Sequence, residues 1–359
     1  MSGALVISLD FELHWGVFDK QSTTGPYAPN LLGAREAIPR MLQLFSEHDV
    51  AATWAIVGFL FAESTRDREE FDPAVLPQYR ESRFNPYGVP VGPDEQTDPF
   101  HYAPSLIRQI QRSPGQEIAT HTYSHLRCHE DGQDASMFDA DIASAVAIAR
   151  RYDVSLRSIV FPSNQHNAAY DDVLLKHGIR SYRGNPETRF FPERASSRQN
   201  SIALRAGRLA DSYVNMSGHN LTDWADVPQP SGLCNVAGSA FLRPYDPTLR
   251  ALESFRRGRI VRSMRRAARQ GKLFHLWWHP HNFGCHTERN LEFLATLLRE
   301  YKRLEDRYGM RSLSMIEVAD EANAPGAIQA DGRSSTGLPF APSQEPAALR
   351  CRHEVLERG

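Results

Sequence analysis

Short apolar runs alternate with amphipathic helical stretches along most of this chain, and several of the runs stop abruptly at an acid or a histidine. Ala4-Leu-Val-Ile-Ser-Leu ends in Asp10, Gln116 to Thr120 delivers His121, and Leu273 to Trp278 delivers His279. A run with no polar alternation reads as a strand buried on both faces, and strands separated by helices read as a parallel sheet. The pattern predicts a parallel β/α architecture, either barrel or open sheet. In such folds the chemistry gathers at the C-terminal ends of the strands.

The same reading places further strands over 51–61, 158–161, 180–182 and 312–318. It places helices over 32–48, 107–112, 138–152, 170–177, 247–270 and 288–308. Two stretches break the rhythm. Residues 63–102 are polar and proline-bearing, and residues 186–247 are rich in Ser, Gly, Pro and Asn. Both read as long loop insertions, which in compact domains are usually functional or mobile. Residues 1–322 are expected to form a single domain. The tail, 323–359, has no periodicity and is expected to be disordered or loosely packed.

At 359 residues with 41% hydrophobic content, the chain is long enough to bury a substantial core. A net charge of −2 provides no global field for nucleic acid or an anionic membrane. The four cysteines, Cys128, Cys234, Cys285 and Cys351, have no C-x-x-C spacing and are expected to be free thiols in a reducing compartment. The first strand begins at Ala4 and leaves no room for a signal peptide. The longest apolar stretch, 51–62, is too short to span a bilayer. The expected location is the cytoplasm.

Three segments carry titratable groups in patterns that can do chemistry. In Asp10-Phe-Glu12-Leu-His14, strand alternation puts Asp10, Glu12 and His14 on one face. A carboxylate ending an apolar strand is costly unless it is paired or metal-bound. In His121-Thr-Tyr-Ser-His125, an i/i+4 spacing on a helical turn brings two imidazoles close enough to share one cation. In Trp277-Trp-His279-Pro-His281, alternation sets His275 and Trp277 on the face of His279. A histidine against such an apolar wall is suited to general acid work. Each segment also has an ordinary reading. Asp10 and Glu12 would cap a turn or pair with arginines. The histidine pair would be hydrogen-bonded at a strand end. His279 would be a core histidine satisfied by a carbonyl.

Taken together, the three segments resemble the motifs of the polysaccharide deacetylases, the NodB-homology group of carbohydrate esterase family 4. Asp10 and Glu12 match that family's first motif in an Asp-x-acid variant. His121 and His125 match its His-x-x-x-His motif, and Leu276 to His279 its late general-acid motif. The likeness spans roughly residues 4–320, apart from the insertions. It implies a distorted (β/α)7 barrel and one divalent metal ion, most often Zn2+, held by Glu12, His121 and His125. It implies a hydrolase of amide-linked acyl groups on sugars. Asp10 would be the base that takes the water proton, His279 the acid, and the backbone N–H of Ser163 the oxyanion donor. Trp277 would wall the acyl pocket. N-acylated sugars, nucleotide sugars or lipid-linked saccharides are the implied partners.

Two departures stand out. The family's Arg-x-Pro motif reads here as Val160-Phe-Pro162, so the arginine that orients the base is missing. Arg243, in Phe241-Leu-Arg-Pro, is the nominated replacement. Thr222-Asp-Trp-Ala-Asp226 only scrambles the family's Asp-x-x-Asp-Trp motif. Two alternatives therefore stay open: a β/α-barrel glycosidase with paired carboxylates, and a catalytically inactive carbohydrate-binding homologue. The basic run from Phe255 to Lys272 reads first as a solvated helix face. Its functional reading is contact with substrate phosphates.

Overall fold

A computed structural model describes residues 1–186 and 202–324. Among the described residues nine strands form one sheet: β1 (Ala4–Phe11), β2 (Ala52–Ile56), β3 (Gln116–Thr120), β4 (Ser158–Val160), β5 (Ser181–Arg183), β6 (Cys234–Asn235), β7 (Ala240–Phe241), β8 (Leu273–Trp278) and β9 (Arg311–Leu313). The helices are α1 (Ala28–Glu47), α2 (Thr65–Phe71), α3 (Pro104–Arg112), α4 (Ala135–Arg150), α5 (Asp171–Lys176), α6 (Ile202–Asp211), α7 (Glu253–Gln270), α8 (Thr287–Tyr308) and α9 (Met315–Ala322).

These strands pair in parallel, in the order β6-β5-β4-β3-β2-β1-β8-β7, with β9 beside the start of β1. The two edge strands are consecutive stretches of one segment. Residues 234–238 bond along β5, through Cys234 N–H to Arg180 O and Val236 N–H to Tyr182 O. Ser239 and Leu242 then switch to the carbonyls of His275 and Trp277 on β8. The sheet thus curls until its edges meet on a single strand-like segment. Counting that segment once, and leaving aside β9 off the main path, gives the seven staves of the distorted (β/α)7 barrel that the sequence suggested.

Alternation along β1 explains the layers. Leu5, Ile7, Leu9 and Phe11 pack with Ala34, Ile38, Met41 and Phe45 of α1. Ala4 and Val6 point the other way, into a second cluster with Met315, Val318 and Ala319 of α9. Helix α9 therefore plugs the lower end of the curled sheet. Ser8 and Asp10 continue the inward row toward the upper end, so polar groups appear only where the apolar plug stops.

Several boundaries differ from the sequence reading. The strand expected to run from 51 to 61 ends at Ile56, and Gly58–Phe61 is a 3-10 turn. Gly58 lies against Tyr123 so closely that an added Cβ would sit 2.5 Å from its ring. The chain must turn there. The strand expected over 312–318 stops at Leu313, where Ser314 and Glu317 form a reciprocal capping box that starts α9. The segment 186–247 is not wholly irregular, since it contains α6, β6 and β7. From residue 325 onward, the expected loose tail lies outside the described residues. Cys128, Cys234 and Cys285 are unbridged, and no described helix is long and apolar enough to cross a membrane.

Candidate active site

The C-terminal ends of β1, β3, β4, β5 and β8 converge on one site. Glu12, His121 and His125 are all buried, and their ligand atoms lie within 4.8 Å of one another. Glu12 Oε2 stands 3.2 Å from His121 Nε2 and 3.1 Å from His125 Nε2. The two imidazoles do not share a helical turn, as their spacing suggested. They flank a loop in which Thr122 and His125 take left-handed φ values of +62° and +59°, a strain typical of functional loops. Asp141 of α4 holds that loop. It accepts from Tyr123 N–H (2.6 Å), from Ser124 N–H (3.1 Å) and from the Ser124 hydroxyl.

These residues fit a divalent cation. The Val160 carbonyl can only accept, so His121 Nδ1 carries the proton of that 2.8 Å bond. In the neutral ring, the His121 Nε2 lone pair then faces a carboxylate oxygen. Burial pushes His125 down to about 4 despite Glu12 beside it, so this ring is also neutral near pH 7. Burial acts to raise Glu12, but the His279 charge and the close approach of His121 and His125 hold it well below the usual carboxylate range. Three lone-pair donors converging in a buried pocket are what a cation requires, and a Glu-His-His set suits Zn2+. Gly16 secures the carboxylate's place, because an added Cβ there would sit 1.9 Å from Glu12 Oε1.

Asp10 stands beside this triad, and its partner is an arginine the sequence reading missed. Arg183 donates to both carboxylate oxygens, Nη1 to Oδ1 and Nη2 to Oδ2, each at 2.7 Å. Arg183 also donates to Ser8 Oγ and Asn164 Oδ1, each at 2.9 Å. Its guanidinium stacks over Trp277, 4.1 Å from the ring centroid. Burial acts to raise Asp10, but the charge and hydrogen bonds of Arg183, with the charges of His279 and His121, leave it below the ordinary range. Asp10 therefore stays ionised at neutral pH.

The nomination of Arg243 is corrected by this pairing. Arg183 is the cation that meets Asp10, and it sits directly opposite Val160 in the β4–β5 register. The arginine expected at position 160 has moved one strand over. A signal existed: Ser181-Tyr-Arg183 puts Ser181 and Arg183 on one face of a short strand, the logic already applied to Asp10.

A relay supports Arg183. Because Arg183 only donates, Ser8 Oγ accepts from it, and the Ser8 proton goes to His275 Nε2 at 2.8 Å. His275 Nδ1–H in turn donates to Val236 O at 2.8 Å. Burial pushes His275 down to about 3, which keeps it neutral and fixes this tautomer. Alternation along β8 holds as read, with His275, Trp277 and His279 all facing inward.

His279 Nε2 lies 3.6 Å from both Asp10 Oδ2 and Glu12 Oε1. Ser163 follows β4 with φ +56°, and both it and His279 line the adjoining cavity. His281 is buried, stacked on His279 with ring centroids 5.1 Å apart, and pushed down to about 3 by burial and the His279 charge. His14 is not part of the site. Leu13, at φ +46°, ends the strand's alternation and sends His14 to His101, with Nδ1 and Nε2 2.8 Å apart.

The polysaccharide deacetylase family model matches residues 18–182, which include both histidines of the triad. Over that segment the chain is similar to the polysaccharide deacetylases. The match leaves out Asp10, Glu12 and His279, which join the histidines only in the folded molecule. The sequence has no match among curated proteins. Among solved structures, a protein from Mycobacterium smegmatis assigned as a candidate polysaccharide deacetylase has a TM-score of 0.54 at 13% identity, covering 90% of this chain and 91% of the other. A GH57-type branching enzyme from Pyrococcus horikoshii scores 0.49 at 11% identity, covering 90% and 71%. A CE4 family pseudoenzyme from Bacillus anthracis scores 0.42 at 12%, covering 89% and 66%. At these identities, the Mycobacterium likeness shows a shared fold and nothing finer.

Proposed function

We propose that this chain is a deacetylase-family, metal-dependent N-deacylase acting on an acylated amino sugar, with Zn2+ as its ion. The observation that carries the reading is the buried Glu12–His121–His125 triad, set beside an arginine-locked Asp10 and with His279 3.6 Å from Asp10. A bound divalent ion would lower the pKa of a water toward ~7 and polarise the acyl carbonyl. Asp10, kept ionised by Arg183, takes the proton of the attacking water. The Ser163 N–H donates to the oxygen that becomes negative, a contact worth about 3–4 kcal/mol in other enzymes. The C–N bond then breaks, and His279 supplies the proton that the leaving nitrogen needs. Trp277 orients Arg183 and also walls the cavity beside the reacting group.

The missing motif arginine was the main argument for an inactive homologue. Arg183 removes that argument by supplying the same charge from β5. The test separates the metal from the acid. Glu12→Ala and His125→Ala should lose the bound ion, measured by elemental analysis, and should lose turnover by on the order of 10³-fold. His279→Ala should retain the ion and lose about 10²–10⁴-fold in acetate release. A His125→Ala protein with full metal content and full activity would overturn the assignment.

A further inference from the structure

The cavity adjoining His279 encloses about 720 Å³, a volume within the range of small-molecule sites. Its wall has two characters. Beside the reacting groups it is aromatic: Phe241 lies 4.7 Å from Trp277 and 5.8 Å from His279, centroid to centroid. Elsewhere it is cationic. Arg205 and Arg208 of α6, Arg256 and Arg259 of α7, and Arg243 all line it, against one acidic residue, Asp211, among the described residues.

Three of these arginines, Arg208, Arg256 and Arg259, are already engaged. Arg256 donates to Glu253 Oε2 at 2.6 Å and to the Arg243 carbonyl. Arg259 donates to Gly218 O at 2.6 Å and lies 3.5 Å from Asp211 Oδ2. Arg243 differs, since among the described residues no carboxylate forms an ion pair with it. Burial holds its guanidinium below the usual range, opposed by Tyr213 and Asp246. Burial and the charges of Arg205 and Arg243 lower Arg208 in the same way. Like charges gathered in a half-buried wall repel one another, and a bound anion would relieve that cost.

Arg243 is also suitably placed along the chain. It lies two residues beyond Phe241, and Pro244 restricts it to extended conformations. Two extended residues advance about 6.6 Å, on the order of one pyranose ring away from the aromatic wall beside His279. The guanidinium fork matches phosphate oxygens, and several such forks converge here.

We propose that this wall is an anionic subsite and that the acylated sugar it serves carries a phosphate ester on the same sugar unit, within about one ring's width of the acyl group. This rests on the N-deacylase reading and narrows its substrate. The test measures binding by calorimetry, at low and at physiological salt, to the full-length protein with its metal. The probes are UDP-N-acetylglucosamine, N-acetylglucosamine 1-phosphate and the neutral N,N′-diacetylchitobiose. Both phosphorylated sugars should bind about tenfold or more tightly than the neutral one, and only their binding should weaken with salt. Arg243→Gln should remove most of that preference. Arg205→Gln, at an exposed position where folding is not at stake, should remove a smaller share. Tighter binding of the UDP-sugar than of the 1-phosphate would assign a diphosphate, and equal binding a single phosphate.

The subsite is refuted if the neutral disaccharide binds as tightly as the phosphorylated sugars. It is equally refuted if both variants change all three affinities by one common factor. Acetate release is read separately. Phosphate-dependent binding through Arg243 with no acetate released would sink the deacylase reading and leave the subsite standing. Equal acetate release from the neutral and the phosphorylated sugars would do the reverse.

Discussion

The two sides of the site were built differently. On the β1–β3 side, the candidate metal ligands come from short motifs, Asp-x-Glu and His-x-x-x-His, which stand out in the sequence although only the fold brings Glu12 to the two histidines. On the β5–β8 side, nothing local dictates the outcome. Arg183 reaches Asp10 from a three-residue strand, and its orientation depends on Ser8, His275, Asn164 and the face of Trp277. The first side sets three candidate ligands together with few supports. The second holds a buried ion pair that is tolerable only because every donor and acceptor in it is matched. The metal side should therefore be sensitive to its own ligands, and the base side to residues that never touch substrate.

Arg183→Ala is expected to show the largest contrast. It leaves Asp10 buried without its cation, a loss of about 3–5 kcal/mol in stability, measured by denaturant unfolding. Metal content should persist, because none of the three ligands contacts Arg183. The sign of the pH effect follows from the native state. Asp10 lies below its ordinary value, so its contribution to stability is complete above the unfolded carboxylate pKa and is lost as pH falls through the native one. Without Arg183 the burial effect is opposed only by the charges of His279 and His121, and the acidic limb of the rate profile should move to higher pH. An unmoved limb would mean that Arg183 does not set the base. Arg183→Lys should not restore the site, since an ammonium cannot fork across both oxygens.

Gly16→Ala probes the metal side. The added methyl would meet only the mobile end of Glu12, so the fold should survive with little change in melting temperature. Metal affinity should fall about 10–100-fold, the usual cost of misorienting a ligand, as read by competition with a chelator. Unchanged affinity would show that Glu12 can ligate from another rotamer. Ser8→Ala is the mildest. It removes one hydrogen bond from Arg183 and one from His275, costing about 1–3 kcal/mol. It should lower kcat more than metal content, and a variant with wild-type kcat would show that the relay only fills space.

Much of the fold was legible in the sequence because its signals are local. The apolar run before Asp10, the helical spacing of α4 and α8, and the left-handed Gly271 after α7 each act within a few residues. The misses have local causes too. The Ser314–Glu317 box was present in the sequence but lost to an apolar run that read as a strand. Leu13, at φ +46°, broke an alternation that seemed to carry through to His14. Strands of two residues, as in β6 and β7, leave too little pattern to read. The basic run of α7 shows the limit of composition. Its arginines read as a solvated face, yet Arg256 and Arg259 are buried and line the cavity.

The sequence by itself determined the residue types and the strand ends that carry them: Asp10, Glu12, His121, His125 and His279, each at or just beyond the end of an apolar strand. Burial energetics forces that much, since a charged or titratable group within these runs would have no partner. Only the tertiary structure decided which arginine serves Asp10. Val160 and Arg183 lie 23 positions apart in the chain but face each other across one β4–β5 pair. A charge can move to a neighbouring strand and leave the field at Asp10 intact, because the field depends on distance in space and not on position along the chain.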